Sequence, residues 1–112
     1  MSDISQLEIS IEQARNMVAL RDAVVKLSTN REFKKVFIED YFKAEAIRLV
    51  DLSADPIITE DQKADVLVSM HGISVLKQYL RRLTQMGDIA EQEIKDAQEE
   101  IGHIRDEVNY YG

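Results

Sequence analysis

The sequence predicts an all-α protein, built as a helical hairpin or three-helix body with a long C-terminal helix that forms an amphipathic, coiled-coil-like arm. Four glycines and one proline in 112 residues leave few turns, which favours a few long helices over many short strands. Apolar or small residues also alternate at steps of three and four over about five heptads. One core series is Ile73, Leu80, Gly87, Ile94, Ile101 and Val108, and the other is Leu76, Leu83, Ala90, Ala97 and Ile104.

The composition is that of one folded domain. A chain of 112 residues is short for two ordinary domains, and 45% apolar with 31% charged residues is a globular balance. The chain contains no cysteine, which excludes disulfides, thiolate metal ligands and cysteine nucleophiles. The N-terminus lacks a basic segment followed by an apolar run, and no apolar run has the length of a membrane span. We therefore expect neither a signal peptide nor membrane insertion.

The negative charge is concentrated at the C-terminus. Residues 88–112 contain eight acidic and two basic side chains, a net charge of −6, out of −7 for the whole chain. We therefore predict a helical body of residues 1–87 and an acidic helical arm of residues 88–112, which belongs to the same domain or protrudes from it. Such an arm would repel a phosphate backbone, so we expect no direct binding to nucleic acid.

The first helix is predicted to begin at Ser10, with Ser5 as an alternative start. Each serine is followed three residues later by a side chain, Gln13 or Glu8, that completes a capping box. We expect residues 1–9 to form a loose lead-in to this helix.

The second helix is predicted from about Arg31 to Leu52, with Thr29 and Glu32 as its capping box. It carries a wide apolar face that includes four aromatic residues. These are Phe33, Phe37, Tyr41 and Phe42. So wide a face indicates contact with two neighbouring helices, and hydrophobic core is the preferred interpretation over a ligand groove.

The third helix follows the clearest loop, the Ser-Ala-Asp-Pro sequence of residues 53–56, because proline cannot extend a preceding helix. Thr59 is predicted to cap the helix, with Gln62 as its box partner. No stop signal follows before the end of the arm. The helix is therefore predicted to be long, with a bend or break near Gly72 or Gly87 as alternatives.

The distal part of the third helix is predicted to bind another protein. At about 1.5 Å per residue this helix would be about 70 Å long, against about 25–35 Å for each of the first two. The body then leaves the distal heptads uncovered, unless the chain folds back near Gly87. The predicted partner-binding residues are Ile94, Ala97, Ile101, Ile104 and Val108. The acidic row Glu93, Glu100 and Glu107 borders them and favours a basic or neutral partner over a parallel copy.

No constellation of residues predicts an enzyme. Glu100 and His103 form one Glu-x-x-His pair, which carboxylate-bridged metal sites contain twice. A second pair is missing, because the residue three positions before His71 is Val68 and not a glutamate. The common phosphate-loop, serine-hydrolase and zinc-protease motifs do not occur in the sequence. We expect no catalytic residue, no metal site and no cofactor.

Two short basic clusters lie on predicted helices. They are Arg31-Lys34-Lys35 and Lys77-Arg81-Arg82. A solvated helical face with local pairing explains both clusters. The alternative is docking against an acidic surface, such as the arm of a neighbouring subunit, which would produce rings or filaments.

Two stretches resemble a family of short helical proteins encoded by tailed bacteriophages. They are NREFKKVFIEDYFKAEAIRLVDLSADP at residues 30–56 and QYLRRLTQMGDIAE at residues 78–91. Neither stretch is a catalytic signature, and the resemblance implies no particular site residues. It implies a phage protein from the virion structure and assembly genes.

These expectations combine into a non-enzymatic virion or assembly component, located in the virion or the host cytoplasm. It would bind copies of itself, or a larger capsid, portal or tail protein, through helix–helix contacts. The alternative is a small acidic phage inhibitor or adaptor that binds a host protein. Binding by charge imitation would weaken steeply with salt, whereas apolar packing would not.

Overall fold

The computed structural model describes residues 2–111, and this part of the chain is all-α without a strand. The predicted fold class is therefore confirmed, including the long C-terminal helix. The α-helices are α1 (Ser2–Ser28), α2 (Arg31–Phe33), α3 (Ala46–Ser53) and α4 (Glu60–Tyr111), and a π-helix (Lys34–Glu45) joins α2 to α3.

Helix α1 begins at Ser2, before both predicted starts, so the prediction of a loose lead-in is wrong. Both candidate capping serines lie inside the helix. The cause is tertiary contact. Ile4, Leu7 and Ile11 recur at steps of three and four and pack against α4. In folded proteins such packing of an apolar face stabilises a helix more than local sequence signals do.

The second predicted helix occupies residues 31–53 as three consecutive helical parts. Asn30 caps it, because the Asn30 side-chain oxygen accepts a hydrogen bond from the Phe33 backbone N–H at 2.8 Å. The predicted cap at Thr29 is wrong, since the Thr29 hydroxyl donates instead to the carbonyl oxygen of Lys26 at the end of α1.

The π-helix gathers the aromatic residues of this segment. Its hydrogen bonds connect residues five apart rather than four, so side chains four and five positions apart lie on one face. Phe37 therefore contacts both Tyr41 and Phe42, with ring centroids 6.2 and 6.4 Å away, and stacks on Phe33 at 5.1 Å.

Helix α4 begins at the predicted cap. Thr59 Oγ1 accepts a hydrogen bond from the Gln62 backbone N–H at 3.1 Å, and Gln62 Oε1 accepts one from the Thr59 N–H at 2.9 Å. The loop of residues 54–59 precedes it. The helix then continues without a break to Tyr111. The alternatives of a break near Gly72 or Gly87, and of a fold-back near Gly87, are therefore wrong.

The chain divides into two compact units. The terminal unit consists of the residues up to Val24 together with those from Leu83 onward, and the hairpin unit is Val25–Arg82. The boundaries of these two units therefore differ from the predicted boundary between the body of residues 1–87 and the arm of residues 88–112. The reason is that the first part of α1 packs with the last part of α4.

The two helices of the terminal unit are antiparallel. Glu8 lies beside Arg105, with 3.9 Å between their charged atoms, whereas Arg21 lies beside Gly87. The unit's clustered core consists of Ile11, Ala97 and Ile101, against which Ile4, Leu7 and Ile94 pack. The predicted heptad positions of α4 therefore form a buried seam with α1.

The hairpin unit brings residues 31–53 against the first part of α4. Its buried core consists of Leu49, Val66 and Ile73, with Tyr41, Phe42, Ala46, Leu52 and Met70 packed around them. Part of the wide apolar face of residues 31–53 remains exposed, including Val36, Ile47 and Val50. The predicted coverage of this face by two neighbours is therefore incomplete.

Candidate protein-interaction surfaces

The five predicted partner-binding residues lie in two environments. Ile94, Ala97 and Ile101 belong to the core of the terminal unit, where the first turns of α1 cover them. Ile104 is half-buried, and Val108 is 50% exposed. The premise that nothing in the chain covers the distal heptads is therefore wrong. A partner can reach Val108 and the edge of Ile104 directly, but it can reach the other three residues only by displacing α1.

Gly87 marks a close approach between α1 and α4. It is buried, and a Cβ atom added to it would lie 2.8 Å from both Cγ and Cδ of Arg21, and closer still to the Arg21 Cβ. Real Cβ atoms essentially never approach other atoms so closely. Glycine at this position therefore allows the backbone of α4 to lie against the side chain of Arg21.

The Arg21 guanidinium links α1 to α4 beside this contact. Arg21 Nη1 donates to Asp88 at 2.8 Å and to Glu91 at 3.2 Å, while Nη2 donates to the second Glu91 oxygen at 3.4 Å. Asp22 accepts two further hydrogen bonds from Arg21, at 3.1 and 3.0 Å. The Arg21 side chain is only 13% exposed. This cluster holds α1 at a defined register on α4.

The same hydrogen bonds shift the pKa values of the cluster. The hydrogen bond from Arg21 lowers the pKa of Glu91 below its ordinary value of 4.5, and the positive charge of Arg21 lowers it further. The hydrogen bonds to Glu91, Asp88 and Asp22, in that order, raise the pKa of Arg21. Glu91 therefore stays ionised to more acidic pH in the folded chain than in the unfolded chain.

An open groove, the terminal groove, runs between α1 and α4 on the terminal unit, with a volume of about 420 Å³. Ala14, Met17 and Ala90 line its apolar part. Met86 and Ile89 line it as well and are 42% and 60% exposed. Exposed apolar side chains grouped along a groove are typical of surfaces that bind another protein.

A second groove, the hairpin groove, lies on the hairpin unit and has a volume of about 260 Å³. Its apolar lining consists of Phe42, Ala46, Val50, Met70 and Ile73. The exposed side chains of Lys77 and Arg81 also line it, and none of its described lining residues is acidic. The Lys77 ammonium lies 5.9 Å from the centroid of the Phe42 ring, within the range of a cation–π contact.

The two basic clusters differ in their surroundings. Arg31, Lys34 and Lys35 are exposed on the first turns of the segment of residues 31–53. In the other cluster Lys77 and Arg81 line the hairpin groove, and the guanidinium of Arg82 lies 5.4 Å from the ring centroid of Tyr79. Lys35 also lines a cleft with Val36, but Glu39 and Asp40 share that cleft. Among the described residues, the Lys77 cluster is therefore the one that lies on an apolar groove without acidic lining residues.

The histidines and carboxylates do not form a metal site within the described residues. Glu100, His103 and His71 are all exposed there. No group of three or more histidine, aspartate or glutamate side chains is placed to hold a metal ion in that part of the chain. None of the helices described between residues 2 and 111 combines the length and apolar character that a membrane span requires.

The comparisons with known proteins found no relative of this chain. No family model, curated protein or solved structure matches the chain.

Proposed function

We propose that this chain is a non-enzymatic component of a tailed-bacteriophage particle or of its assembly machinery, and that it acts through helix–helix contacts with other proteins. The observation that supports this proposal best is the apolar edge of the terminal groove, where Met86 and Ile89 remain exposed. These side chains lie outside the seam that α1 and α4 share. They are therefore available to a partner helix without any change in the fold.

The shape of the terminal groove suits a helical partner. Helices supply two of its sides, and small residues at Ala14 and Ala90 leave space between them. An amphipathic helix can place apolar side chains into such a groove. Complete burial of an isoleucine side chain contributes about 1.5–3 kcal/mol, so covering the exposed part of Ile89 would contribute about 1–2 kcal/mol.

The phage context rests on the sequence resemblance at residues 30–56 and 78–91. The second of these stretches contains both Met86 and Ile89. The proposed partner is accordingly a larger capsid, portal or tail protein. Ile104 and Val108, at the C-terminal end of α4, remain proposed protein-binding residues, on a surface that does not line the terminal groove.

Charge pairing within the chain argues against the alternative of an inhibitor that imitates nucleic acid. Asp88 and Glu91 are hydrogen-bonded to Arg21, which belongs to α1. Two of the eight acidic side chains of the C-terminal segment are thus paired with an arginine from outside that segment. The terminal groove exposes the apolar side chains of Met86 and Ile89 beside the polar Ser10, Gln13 and Glu93, and a purely electrostatic role would not use the apolar pair.

Cofractionation tests the proposal. Lysates of cells infected with the encoding phage are separated by sedimentation in low and high salt, and the protein is detected with an antibody. We expect the protein to sediment with particles or assembly intermediates in both salts, because apolar packing is weakly sensitive to ionic strength. Recovery at the top of the gradient, or in a host complex that dissolves at high salt, would contradict the proposal.

A further inference from the structure

We infer that the hairpin groove of one copy binds the C-terminal end of α4 from a second copy, so that the chain associates head to tail. This inference deepens the proposed function, since it names a second copy as one helical partner. It concerns a different surface from the terminal groove, and the two can therefore be tested separately.

The hairpin groove has the chemistry that an acidic amphipathic helix requires. Its lining is apolar at Phe42, Val50 and Met70, and it carries two cations at Lys77 and Arg81. These cations are four residues apart on α4 and therefore lie one turn apart on the same face. Within residues 2–111 neither cation forms an ion pair, although Lys77 contacts the Phe42 ring.

The end of α4 carries the matching features. Val108 is half-exposed, and Ile104, one turn earlier, is half-buried. Glu100 and Glu107 are exposed, two turns apart on one side of this apolar pair. Neither glutamate has an ion-pair partner among the described residues, whereas Glu91, earlier in the helix, is bonded to Arg21.

The two ends therefore complement each other in charge and in apolar surface. In the proposed contact, the two cations beside the hairpin groove of one copy meet the two glutamates beside the apolar pair at the end of α4 of the other copy. Complementary charges of this kind select a partner and its orientation. Because the groove and the helix end are different surfaces of the same chain, each copy can use both at once, and the product is an open chain or a ring.

A charge exchange tests the inference on the full-length protein. One variant carries Lys77→Glu and Arg81→Glu, and a second carries Glu100→Lys and Glu107→Lys. All four side chains are exposed, so we expect both variants to keep the helical content of the natural protein. A control with Arg31→Glu and Lys35→Glu changes the charge of the hairpin unit by the same amount, away from the groove.

Sedimentation velocity over a wide range of protein concentration supplies the readout. We expect the natural protein and the control to self-associate alike. Each groove or helix-end variant alone should associate more than about tenfold more weakly, because like charges then face each other. An equimolar mixture of the two variants should recover the association, since each groove again meets a helix end of opposite charge.

Several outcomes would overturn the inference. They are a natural protein that stays monomeric, a groove or helix-end variant that associates like the natural protein, a mixture that stays dissociated, and a control as weak as the groove variant. If the protein still sediments with phage particles in any of these cases, the proposed function stands and only the self-association is refuted.

Discussion

Replacing Gly87 with alanine tests the contact on which the terminal unit depends. The added methyl group would lie 2.8 Å from Cγ and Cδ of Arg21 and closer still to its Cβ. The flexible end of the arginine can move aside, but its Cβ is attached to the backbone of α1. The two helices must therefore separate to admit the methyl group, and the hydrogen bonds from Arg21 to Asp88 and Glu91 must adjust with them.

The expected size of the effect comes from two opposing terms. Alanine stabilises a helix interior by about 1 kcal/mol relative to glycine. Overpacking of a close contact costs about 1–3 kcal/mol, and an overlap this deep belongs at the upper end. We therefore expect Gly87→Ala to lower the free energy of unfolding by about 1–2 kcal/mol. At about 4 °C per kcal/mol for a chain of this size, Tm should fall by about 4–8 °C.

Gly102 offers a matched control in the same helix. A Cβ atom at Gly102 would meet none of the described residues within 4 Å, so Gly102→Ala should gain the helix term alone and raise the free energy of unfolding by about 1 kcal/mol. Thermal and urea unfolding followed by circular dichroism would measure both variants. If Gly87→Ala stabilises the protein as much as Gly102→Ala does, α1 does not lie against α4 as described.

Three further predictions address the core, the ion pair and the α4 cap. Ile101→Ala should lower the free energy of unfolding in urea by about 2–5 kcal/mol, whereas Val108→Ala should change it by less than about 0.5 kcal/mol, because only Ile101 is buried. The lowered pKa of Glu91 adds stability that is fully present above its ordinary value of 4.5 and is lost as the pH falls through the folded-state pKa. Urea titrations at successive pH values should show this loss, and Arg21→Met should reduce it. Thr59→Ala should lower the free energy of unfolding by about 1 kcal/mol, measured in the same way, since it removes the N-cap of α4.

The fold was predictable where sequence signals are periodic. The alternation of apolar residues along α4 places Ile73, Leu83, Ala90 and Ala97 at buried positions, as the structure confirms. The start of α4 was also predictable, because no other capping box in the sequence after Pro56 competes with the one that Thr59 and Gln62 form. The π-helix was not predictable, since its hydrogen-bond pattern leaves no distinct residue spacing in a segment as generally apolar as residues 31–53.

The start of α1 shows how one local error changes a conclusion about function. The capping boxes at Ser5 and Ser10 are weak signals, and they led to a helix too short to reach the end of α4. The spacing of Ile4, Leu7 and Ile11 continues the heptad pattern of α1 toward the N-terminus, and this spacing indicates that the helix begins before Ile4. With that correction, the buried seam of α4 is shared with α1 rather than left for a partner.

The surface residues were harder to find in the sequence. Arg21 occupies a core-type position on α1, and its role depends on a glycine 66 residues later, which no local pattern connects to it. Met86 and Ile89 lie outside the heptad series, so a search for the strongest periodicity passes over them. A large cation at a core-type position and an apolar pair beside a seam are signals worth examining in similar sequences.

The most direct test of the proposed function compares Ile89→Lys with Ile57→Lys in phage-infected cells. Ile89 lines the terminal groove, whereas Ile57 is 87% exposed in the loop of residues 54–59, so both changes remove an exposed isoleucine and add the same charge. The measurement is the fraction of each variant that sediments with phage particles. We predict that Ile89→Lys lowers this fraction by about tenfold, and that Ile57→Lys leaves it unchanged. Equal fractions for the two variants would contradict the proposal that the terminal groove binds the protein's partner.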